Sequence, residues 1–253
     1  MQRGSHPPTV MIIRPLTEFK ELEQCVDLQR EAWGSADIDI MPVRMLVTQN
    51  RIGGLVLGAF DGEHLAGFVN AMPGIRDGSP YWYSQMLAVA KEYWNGGIGF
   101  RLKLAQRDQA RQRGIRLIEW TFDPLESKNA HLNVAKLGVI VRRYYVNLHG
   151  VTTSRLQQGL ESDRVIAEWW IDQPPVRADA GARRISIPAD IQSLKKQSLK
   201  AAQDVQLRIR EQFLKNFQDD YFVAGFERSA KPETNEWSEY LLVPGASRVY
   251  QAS

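Results

Sequence analysis

The chain has 253 residues, of which 43% are hydrophobic and 24% charged, and its formal net charge is +3 at pH 7. A chain of this length can bury a large core without disulfides or structural metals, so we expect no bound metal and a buried, apolar role for the single cysteine, Cys25. The small charge excess does not indicate a nucleic-acid partner, and the lack of a long apolar stretch or signal-like leader predicts a cytoplasmic protein without a membrane partner.

Hydrophobic spacing and turn residues divide residues 10–171 into short predicted strands and helices. In chain order these are a strand at 10–14, helices at 18–33 and 42–49, strands at 55–60, 64–72 and 81–89, a helix at 100–113, a strand at 115–121, a helix at 128–137, and strands at 139–148 and 164–171. The pair Asp61-Gly62 is typical of a hairpin turn. Because hairpins come first and β-α-β units later, the order predicts an α/β fold with a mixed, α+β type sheet.

Beyond this region, a segment rich in Pro, Ala and Arg at 172–184 is predicted to be a linker. Residues 188–218 then carry apolar side chains at helical intervals, with Pro188 in the first turn, and strands are predicted at 221–226 and 239–243. The sequence thus predicts two parts, residues 11–173 and 185–253. The second part is too small for a core of its own, so its helix should dock on the first part of the same chain or of a partner, which would make a homodimer.

The segment from Met86 to Leu102 joins a strand end, a glycine-rich turn and a helix start. Its glycines let backbone amides turn toward a ligand, and the dipole of the following helix favours an anion such as pyrophosphate. The segment is not a phosphate-binding P-loop, which needs Gly-Lys-Ser/Thr where this chain has Gly99-Phe100-Arg101. It is also not a dinucleotide-binding fingerprint, which needs a third glycine and a purely parallel βαβ setting, because the segment has neither. The alternative to an anion-binding loop is a tight turn that binds no ligand.

These residues resemble the GNAT acetyltransferase superfamily, in a poorly characterised bacterial subgroup. In that family a strand is followed by Arg/Gln-x-x-Gly-x-Gly/Ala and a helix, and Gly97-Ile98-Gly99 matches the Gly-x-Gly pair. Residues 129–138 are similar to its second signature, a helix that ends in Lys-Leu-Gly. The resemblance covers about residues 11–173 and implies an acyl-CoA N-acyltransferase fold, followed here by a C-terminal extension of helix and strands.

The resemblance implies which residues bind acetyl-CoA or another acyl-CoA as co-substrate. Strand residues would present backbone groups to the pantetheine, and the N–H near Val89 would donate to the oxyanion. The loop from Asn95 to Arg101 would hold the pyrophosphate. Two asparagines of the next helix would lie near the pantetheine. The complete expected set is Leu87, Ala88, Val89, Trp94, Asn95, Gly96, Gly97, Ile98, Gly99, Phe100, Arg101, Asn129 and Asn133.

Two positions depart from the family pattern. Trp94 stands where the family has Arg or Gln, which removes one polar contact to the loop or the phosphate. Val134 stands where many members have a tyrosine that protonates the leaving thiolate. We therefore expect the catalytic acid to come from elsewhere, or the thiolate to leave without a dedicated donor.

Acyl transfer to an amine needs a base for the amine and a proton for the departing sulfur. Glu119 or Asp123 is expected to serve as the base, directly or through water, and the alternative for Glu119 is a charge pair on a sheet face. His131 is a candidate acid or base, and otherwise a surface or packing histidine. Tyr144 and Tyr145 should alternate between faces, and Tyr145 is our candidate for the replacement acid.

Arg142 and Arg143 are also expected to point to opposite faces, which would let one of them face a cleft. The alternative is that they are solvated charges at the edge of a strand. An arginine in a cleft would suit an acidic acceptor or a dicarboxylic acyl group. The sequence thus predicts an enzyme that transfers an acetyl or other short acyl group from acyl-CoA to the amine of a small, amino-acid-like acceptor. The rival interpretation, favoured by Trp94 and Val134, is a CoA-binding sensor without catalysis.

Overall fold

The computed structural model describes residues 11–34, 36, 39–150, 159–230 and 236–245. The chain divides into two compact units. Unit 1 is drawn from Met1–Gly74 and Trp82–Ile115, and unit 2 from Ile75–Tyr81 and Arg116–Ser253. The predicted domains, residues 11–173 and 185–253, stay a prediction.

Unit 1 alternates strands and helices in the predicted order. Its elements are β1 (Ile12–Pro15), α1 (Phe19–Trp33), α2 (Val43–Arg51), β2 (Leu55–Asp61), β3 (His64–Arg76), β4 (Ser79–Val89), a single 3-10 turn (Lys91–Tyr93) and α3 (Ile98–Gln112). The strands lie in the order β1-β2-β3-β4, and β2 pairs antiparallel with both β1 and β3. The predicted hairpin is confirmed, since Asp61 pairs with His64 and Gly62 has a φ of 60°. Strand β3 runs past its predicted end at Met72, and the tips of β3 and β4 belong to unit 2.

The core of unit 1 is formed by apolar faces of α1 and α2 and by strand residues. Leu22, Cys25 and Leu46 are fully buried in one cluster with Val56 and Phe68. Burial of Cys25 is as predicted, and it raises the pKa of the thiol to about 12, so the group stays protonated at neutral pH. The cysteine therefore contributes packing and not a nucleophile.

Unit 2 contains the remaining elements. They are β5 (Leu117–Phe122), α4 (Ser127–Ala130), a π-helical segment (His131–Lys136), β6 (Ile140–Tyr145), β7 (Arg164–Trp170), β8 (Arg183–Pro188), α5 (Ile191–Gln197), α6 (Leu199–Gln218), β9 (Tyr221–Glu227) and β10 (Trp237–Pro244). The strands follow the order β5-β7-β6-β9-β10-β8, and each neighbouring pair is antiparallel. Strand β6 ends three residues before its predicted end, because the chain turns at Asn147, whose φ is 47°.

The prediction for the C-terminal part is wrong at its start. Residues 183–188 form strand β8, with Ile185 and Ile187 buried, so Pro188 ends a strand and does not begin a helix. The period-two burial pattern identifies the strand, and its pairing with β10 satisfies the backbone. The helix that follows is also interrupted, because Ser198 has an extended backbone and its hydroxyl accepts a hydrogen bond from the N–H of Ala201 as the N-cap of α6.

The C-terminal part docks on the same chain, one of the two arrangements that the sequence left open. Val223 of β9 pairs with Val141 of β6, so the added strands continue the sheet of unit 2. On its face, the ring centroids of Phe213 in α6 and Tyr144 lie 5.6 Å apart. The guanidinium group of Arg210 donates to both carboxylate oxygens of Asp163 at 2.9 and 3.0 Å. Formation of a homodimer stays a prediction.

Candidate active site

The glycine-rich loop of unit 1 has the strand, turn and helix that the sequence predicts. Strand β4 ends at Val89, the 3-10 turn follows, and α3 begins at Ile98. Two loop residues adopt left-handed backbone conformations, Asn95 with a φ of 65° and Gly97 with a φ of 75°. A β-carbon at Gly97 would meet no atom within 4 Å, so glycine is favoured there by conformation and not by lack of space.

Gly97 is the N-cap of α3, and it has no side chain with which to cap the helix. The first hydrogen bond of the helix runs from the N–H of Arg101 to the carbonyl of Gly97 at 3.1 Å. The amides of Ile98, Gly99 and Phe100 precede it, and helix geometry gives them no acceptor within the helix. These donors and the helix dipole fit an anionic group, so this loop suits the pyrophosphate of an acyl-CoA.

Trp94, which departs from the family pattern, ties the loop to the strand. Its indole N–H donates to the carbonyl of Val89 at 2.8 Å, while 54% of the residue is exposed. The only polar group of this side chain is thus directed to the protein backbone. The guanidinium group of Arg101 is exposed and donates to the carbonyl of Met11 at 3.0 Å. Phosphate binding at this loop would therefore depend mainly on backbone amides.

The other expected cofactor residues are placed in both units. In unit 1, Ala88 is buried and Leu87 is half-buried, and a β-carbon at Gly67 would lie 2.9 Å from the carbonyl of Ala88, so the neighbouring strand needs glycine there. In unit 2, Asn129 is exposed on α4 and Asn133 is buried in the π-helical segment. Their roles in cofactor binding stay predictions.

Unit 2 contains a buried cluster of opposite charges around Glu119. Glu119 of β5 stands opposite Glu168 of β7 in the antiparallel register, and both residues are buried. Their partners are three arginine side chains, those of Arg76, Arg142 and Arg143. Both Arg76 and Arg143 donate to Oε1 of Glu119, the latter at 2.5 Å, and Arg142 donates to both oxygens of Glu168.

The expected alternation of Arg142 and Arg143 is wrong, because the strand is irregular at this point. Val141 pairs with Ala167 and Tyr144 pairs with Val165, so two residues of β6 stand opposite one residue of β7. Such a β-bulge removes the strict alternation of side chains. Both arginines consequently reach the same pair of carboxylates.

The two carboxyl groups of the cluster differ in their acidity. Burial raises the pKa of Glu119 above its ordinary value, and the charges of Arg143 and Arg76 oppose this effect only in part. Burial also disfavours the charged form of Glu168, but the hydrogen bond from Arg142 and the charges of the arginines hold its pKa below the ordinary value. Paired carboxyl groups with diverging pKa values are typical of acid–base sites, and Glu119 is the member suited to accept a proton.

Asp123, the second candidate base, has a local structural role. Its carboxylate accepts a hydrogen bond from the N–H of Leu125 at 2.8 Å and lies 3.9 Å from the guanidinium group of Arg164. Burial raises its pKa, as it does for Glu126 nearby, which accepts from the side chain of Gln192. The turn after β5 therefore holds its own acidic pair, and a catalytic role of Asp123 stays a prediction.

His131 begins the π-helical segment, and its Nδ1 is buried without a hydrogen-bond partner among the described residues. Burial and the charges of Lys136 and Arg228 lower the pKa of His131, which favours the neutral ring at neutral pH, and a catalytic role of His131 stays a prediction. Of the two tyrosines, Tyr144 donates to Asp163 at 2.6 Å, whereas Tyr145 is 40% exposed. The acid role of Tyr145 stays a prediction.

Sequence reasoning missed Arg76 and Glu168. Glu168 had a recognisable signal, since Ala167-Glu168-Trp169 places one carboxylate in an otherwise apolar strand, as Ile118-Glu119-Trp120 does. A lone acid in a buried strand indicates a charged partner. Arg76 had no such signal, because it ends a long strand and meets the cluster only through the tertiary fold.

Comparisons with known proteins agree with the predicted family resemblance and fold. Residues 21–138 match the sequence model described as "Acetyltransferase (GNAT) family". Among the solved structures that resemble the chain is an acetyltransferase of the GNAT family from Streptococcus pneumoniae, with 20% sequence identity, a TM-score of 0.51 and coverage of 62% of this chain and 98% of that chain. Aminoglycoside 6'-acetyltransferase type Ii has 21% identity and a TM-score of 0.52, with coverage of 65% of this chain and 100% of that chain. The NatC complex bound to Gag peptide and CoA has 16% identity and a TM-score of 0.51, with coverage of 66% of this chain and 99% of that chain. Identities this low show the fold alone, and the predicted fold class is confirmed. A comparison with curated proteins gives no significant match.

Two negative findings apply to the described part of the chain. None of its helices has the length and apolar character needed to cross a lipid bilayer. Within those same residues, no group of three or more His, Cys, Asp or Glu side chains is arranged to hold a metal ion.

Proposed function

We propose that this chain, which belongs to the GNAT acetyltransferase superfamily through residues 21–138, is an acyl-CoA-dependent N-acyltransferase. It transfers an acetyl or other short acyl group to the amine of a small, amino-acid-like acceptor, in the bacterial cytoplasm and without a metal. The observation that carries the proposal is the buried Glu119, whose raised pKa suits a base and whose position is fixed by two arginines. The NatC complex of similar fold binds CoA, which supports the choice of acyl carrier.

Glu119 removes the proton from the ammonium form of the acceptor, directly or through a water molecule. Its raised pKa brings it closer to neutrality than an ordinary carboxylate, which favours proton transfer from an amine. Glu168 stays ionised because Arg142 and its neighbours stabilise its charge. It thereby keeps the arginines in place when Glu119 becomes protonated.

The glycine loop supplies the binding energy for the acyl carrier. Acyl-CoA, when bound, supplies an activated thioester carbonyl. The amides at the start of α3 hold the pyrophosphate, and the N–H near Val89 is the proposed donor to the carbonyl oxygen. Val134 is buried and has no acidic group, so the proton for the sulfur comes from another residue or from solvent. A thiol has an ordinary pKa of about 8.5, so its thiolate can leave without a dedicated acid.

A CoA-binding sensor without catalysis is the second candidate, because Trp94 uses its indole N–H on the backbone and Val134 replaces the usual acid. The two functions are separated by incubating the protein with acetyl-CoA or succinyl-CoA and a panel of amines, with release of free CoA as the readout. The enzyme releases CoA only when a suitable amine is present. A protein that binds CoA in calorimetry but releases none with any amine is a sensor, and this result would contradict the proposed enzyme.

A further inference from the structure

The charge cluster of unit 2 joins two buried carboxylates to three arginine side chains. The carboxylates of Glu119 and Glu168 have side-chain exposures of only 5% and 0%. Three guanidinium groups contact these two carboxylates: those of Arg76, Arg142 and Arg143. A further carboxylate, that of Asp77, lies 3.7 Å from Arg76, but it is 82% exposed and screened by solvent. Each of the two buried carboxylates is therefore contacted by more than one guanidinium group.

Two of these arginines keep donors that no described residue accepts. Arg143 directs Nη2 to Glu119 and lies 3.3 Å from Glu168, while its buried Nε has no hydrogen-bond partner. Arg76 uses Nη1 for Glu119, and the same atom lies 3.4 Å from Glu168. Buried donors in proteins are nearly always paired, so an unpaired Nε in a charged cluster indicates an acceptor that the described residues do not supply.

The same two arginines form the accessible side of the cluster. The side chains of Arg143 and Arg76 are 32% and 27% exposed, whereas both carboxylates are almost completely buried. Arg142 differs, since its side chain is only 16% exposed and its Nε and Nη2 donate to Glu168. A molecule that approaches Glu119 from solvent would thus meet two guanidinium groups that share one oxygen of this residue.

From this arrangement we infer that Arg76 and Arg143 bind a carboxylate of the substrate. The inference rests on the acyl transfer proposed above, and it names the chemical class of the substrate at that site. A guanidinium group matches the planar carboxylate through paired N–H donors. The two exposed guanidinium groups disfavour an acceptor that is only cationic, whereas a zwitterion brings a carboxylate beside its own amine.

The carboxylate has two sources, an amino-acid acceptor or a dicarboxylic acyl group. The test measures kcat/KM by CoA release for amino acids and their carboxamides, each with acetyl-CoA and with succinyl-CoA. If the site binds the carboxylate of the acceptor, kcat/KM should be about 10-fold or more higher for amino acids than for their carboxamides with both acyl-CoA substrates. If it binds the carboxylate of the acyl group, kcat/KM should be higher by this factor for succinyl-CoA than for acetyl-CoA, even when the acceptor is a carboxamide. Equal values in both comparisons would overturn the inference and leave the proposed acyl transfer intact.

If no combination releases CoA, the proposed function fails, and equilibrium binding still tests the carboxylate. Calorimetric titration compares each amino acid with its carboxamide, and succinyl-CoA with acetyl-CoA, on the full-length protein. Tighter binding of the carboxylate-bearing member in either pair supports carboxylate recognition. Equal binding within both pairs overturns it.

The variants Arg143→Gln and Arg76→Gln identify the residues responsible. The ratio of kcat/KM between the preferred carboxylate-bearing substrate and its partner should fall toward one in both. For two acyl-CoA substrates with the same amine, altered protonation of Glu119 affects both alike and cancels in this ratio. For an amino acid and its carboxamide, whose amines differ in basicity, the ratio of the calorimetric affinities is compared instead. Arg143→Lys keeps the charge but not the planar fork, so it should retain part of the preference and serves if the glutamine variant does not fold. The control Arg177→Gln removes an exposed charge from the same unit and should leave the ratio unchanged. A wild-type ratio in both cluster variants would contradict the assignment.

Discussion

The two candidate sites of this protein are made from different parts of the polypeptide. In unit 1 the glycine loop offers backbone amides, and its shape depends on left-handed conformations such as that of Gly97. In unit 2 the site consists of side-chain charges, which meet because Glu119 stands opposite Glu168 and a bulge directs Arg142 and Arg143 to the same place. A backbone site is sensitive to conformation, whereas a side-chain site is sensitive to charge and to strand register.

The units also bury charge in different ways. Unit 1 buries Lys103, which donates to Ser84 at 2.8 Å and to Gln106 at 3.2 Å, and burial lowers its pKa well below the ordinary value. Unit 2 buries its carboxylates beside arginines, so Glu168 stays ionised. Burial beside neutral partners thus favours the uncharged form of Lys103, whereas charged partners keep Glu168 ionised.

The largest expected effect comes from truncation after Gln173, which should damage unit 2. The shortened chain loses the pairing of Val141 with Val223 and the packing of Phe213 on Tyr144, so β6 gains an open edge and apolar surface becomes exposed. We expect aggregation and binding of a hydrophobic dye, measured by light scattering and fluorescence. A chain that ends at Gly245 serves as the control. A soluble truncated protein with unchanged thermal unfolding would show that unit 2 does not depend on its C-terminal strands.

Gly97→Val should weaken CoA binding by about 100-fold or more, because the loop loses two or more charge-assisted hydrogen bonds from amides. Gly114→Val is the matched control, since Gly114 follows the other end of α3, has a φ of 70° and also has open space around its position. Both variants should lose similar stability, about 1–2 kcal/mol, because valine is strained at positive φ. Calorimetry that gives both variants the same CoA affinity would refute the loop as the pyrophosphate site.

Glu119→Gln should lower turnover by about 100-fold or more and change CoA affinity little, because it removes the base and not the loop. The base acts when deprotonated and its pKa is raised, so wild-type kcat/KM should increase as pH rises through a value above the ordinary range of a glutamate. The variant should lack this limb of the pH profile. Glu126→Gln is the control, since this half-buried carboxyl also has a raised pKa but lies outside the arginine cluster. Full turnover in Glu119→Gln would shift the base role to Asp123 or His131.

The smallest expected effect concerns Lys103. Its folded pKa is lowered, whereas an unfolded lysine has a pKa of about 10.4, so between these values unfolding takes up a proton and stability rises with pH. Lys103→Met removes this dependence. The difference in free energy of unfolding, variant minus wild type, should therefore be largest at low pH and should decrease toward pH about 10, as measured by urea titrations. The exposed Lys215→Met should show no such trend, and an equal difference at every pH would argue against a neutral Lys103.

The same contrast explains what could be predicted before the structure. The glycine loop lies within one contiguous segment, so residue types and spacing were sufficient to place its strand end, turn and helix. Glu119 was also recognised, because it lies on the strand that follows the helix of the glycine loop. Its partners were not, since Arg76 and Glu168 lie 43 and 49 positions away along the chain. The alternation expected at Arg142 failed because a bulge depends on the partner strand.

The sequence by itself determined the order of strands and helices through Trp170, the buried role of Cys25 and the loop at Gly97, because periodicity and turn chemistry act over a few residues. Only the tertiary structure decided that residues 183–188 form a strand, because that segment gains its backbone partners from β10, about 55 residues later in the chain. It likewise decided which charges meet at Glu119, because cross-strand register and a bulge bring together side chains whose separation in sequence carries no signal.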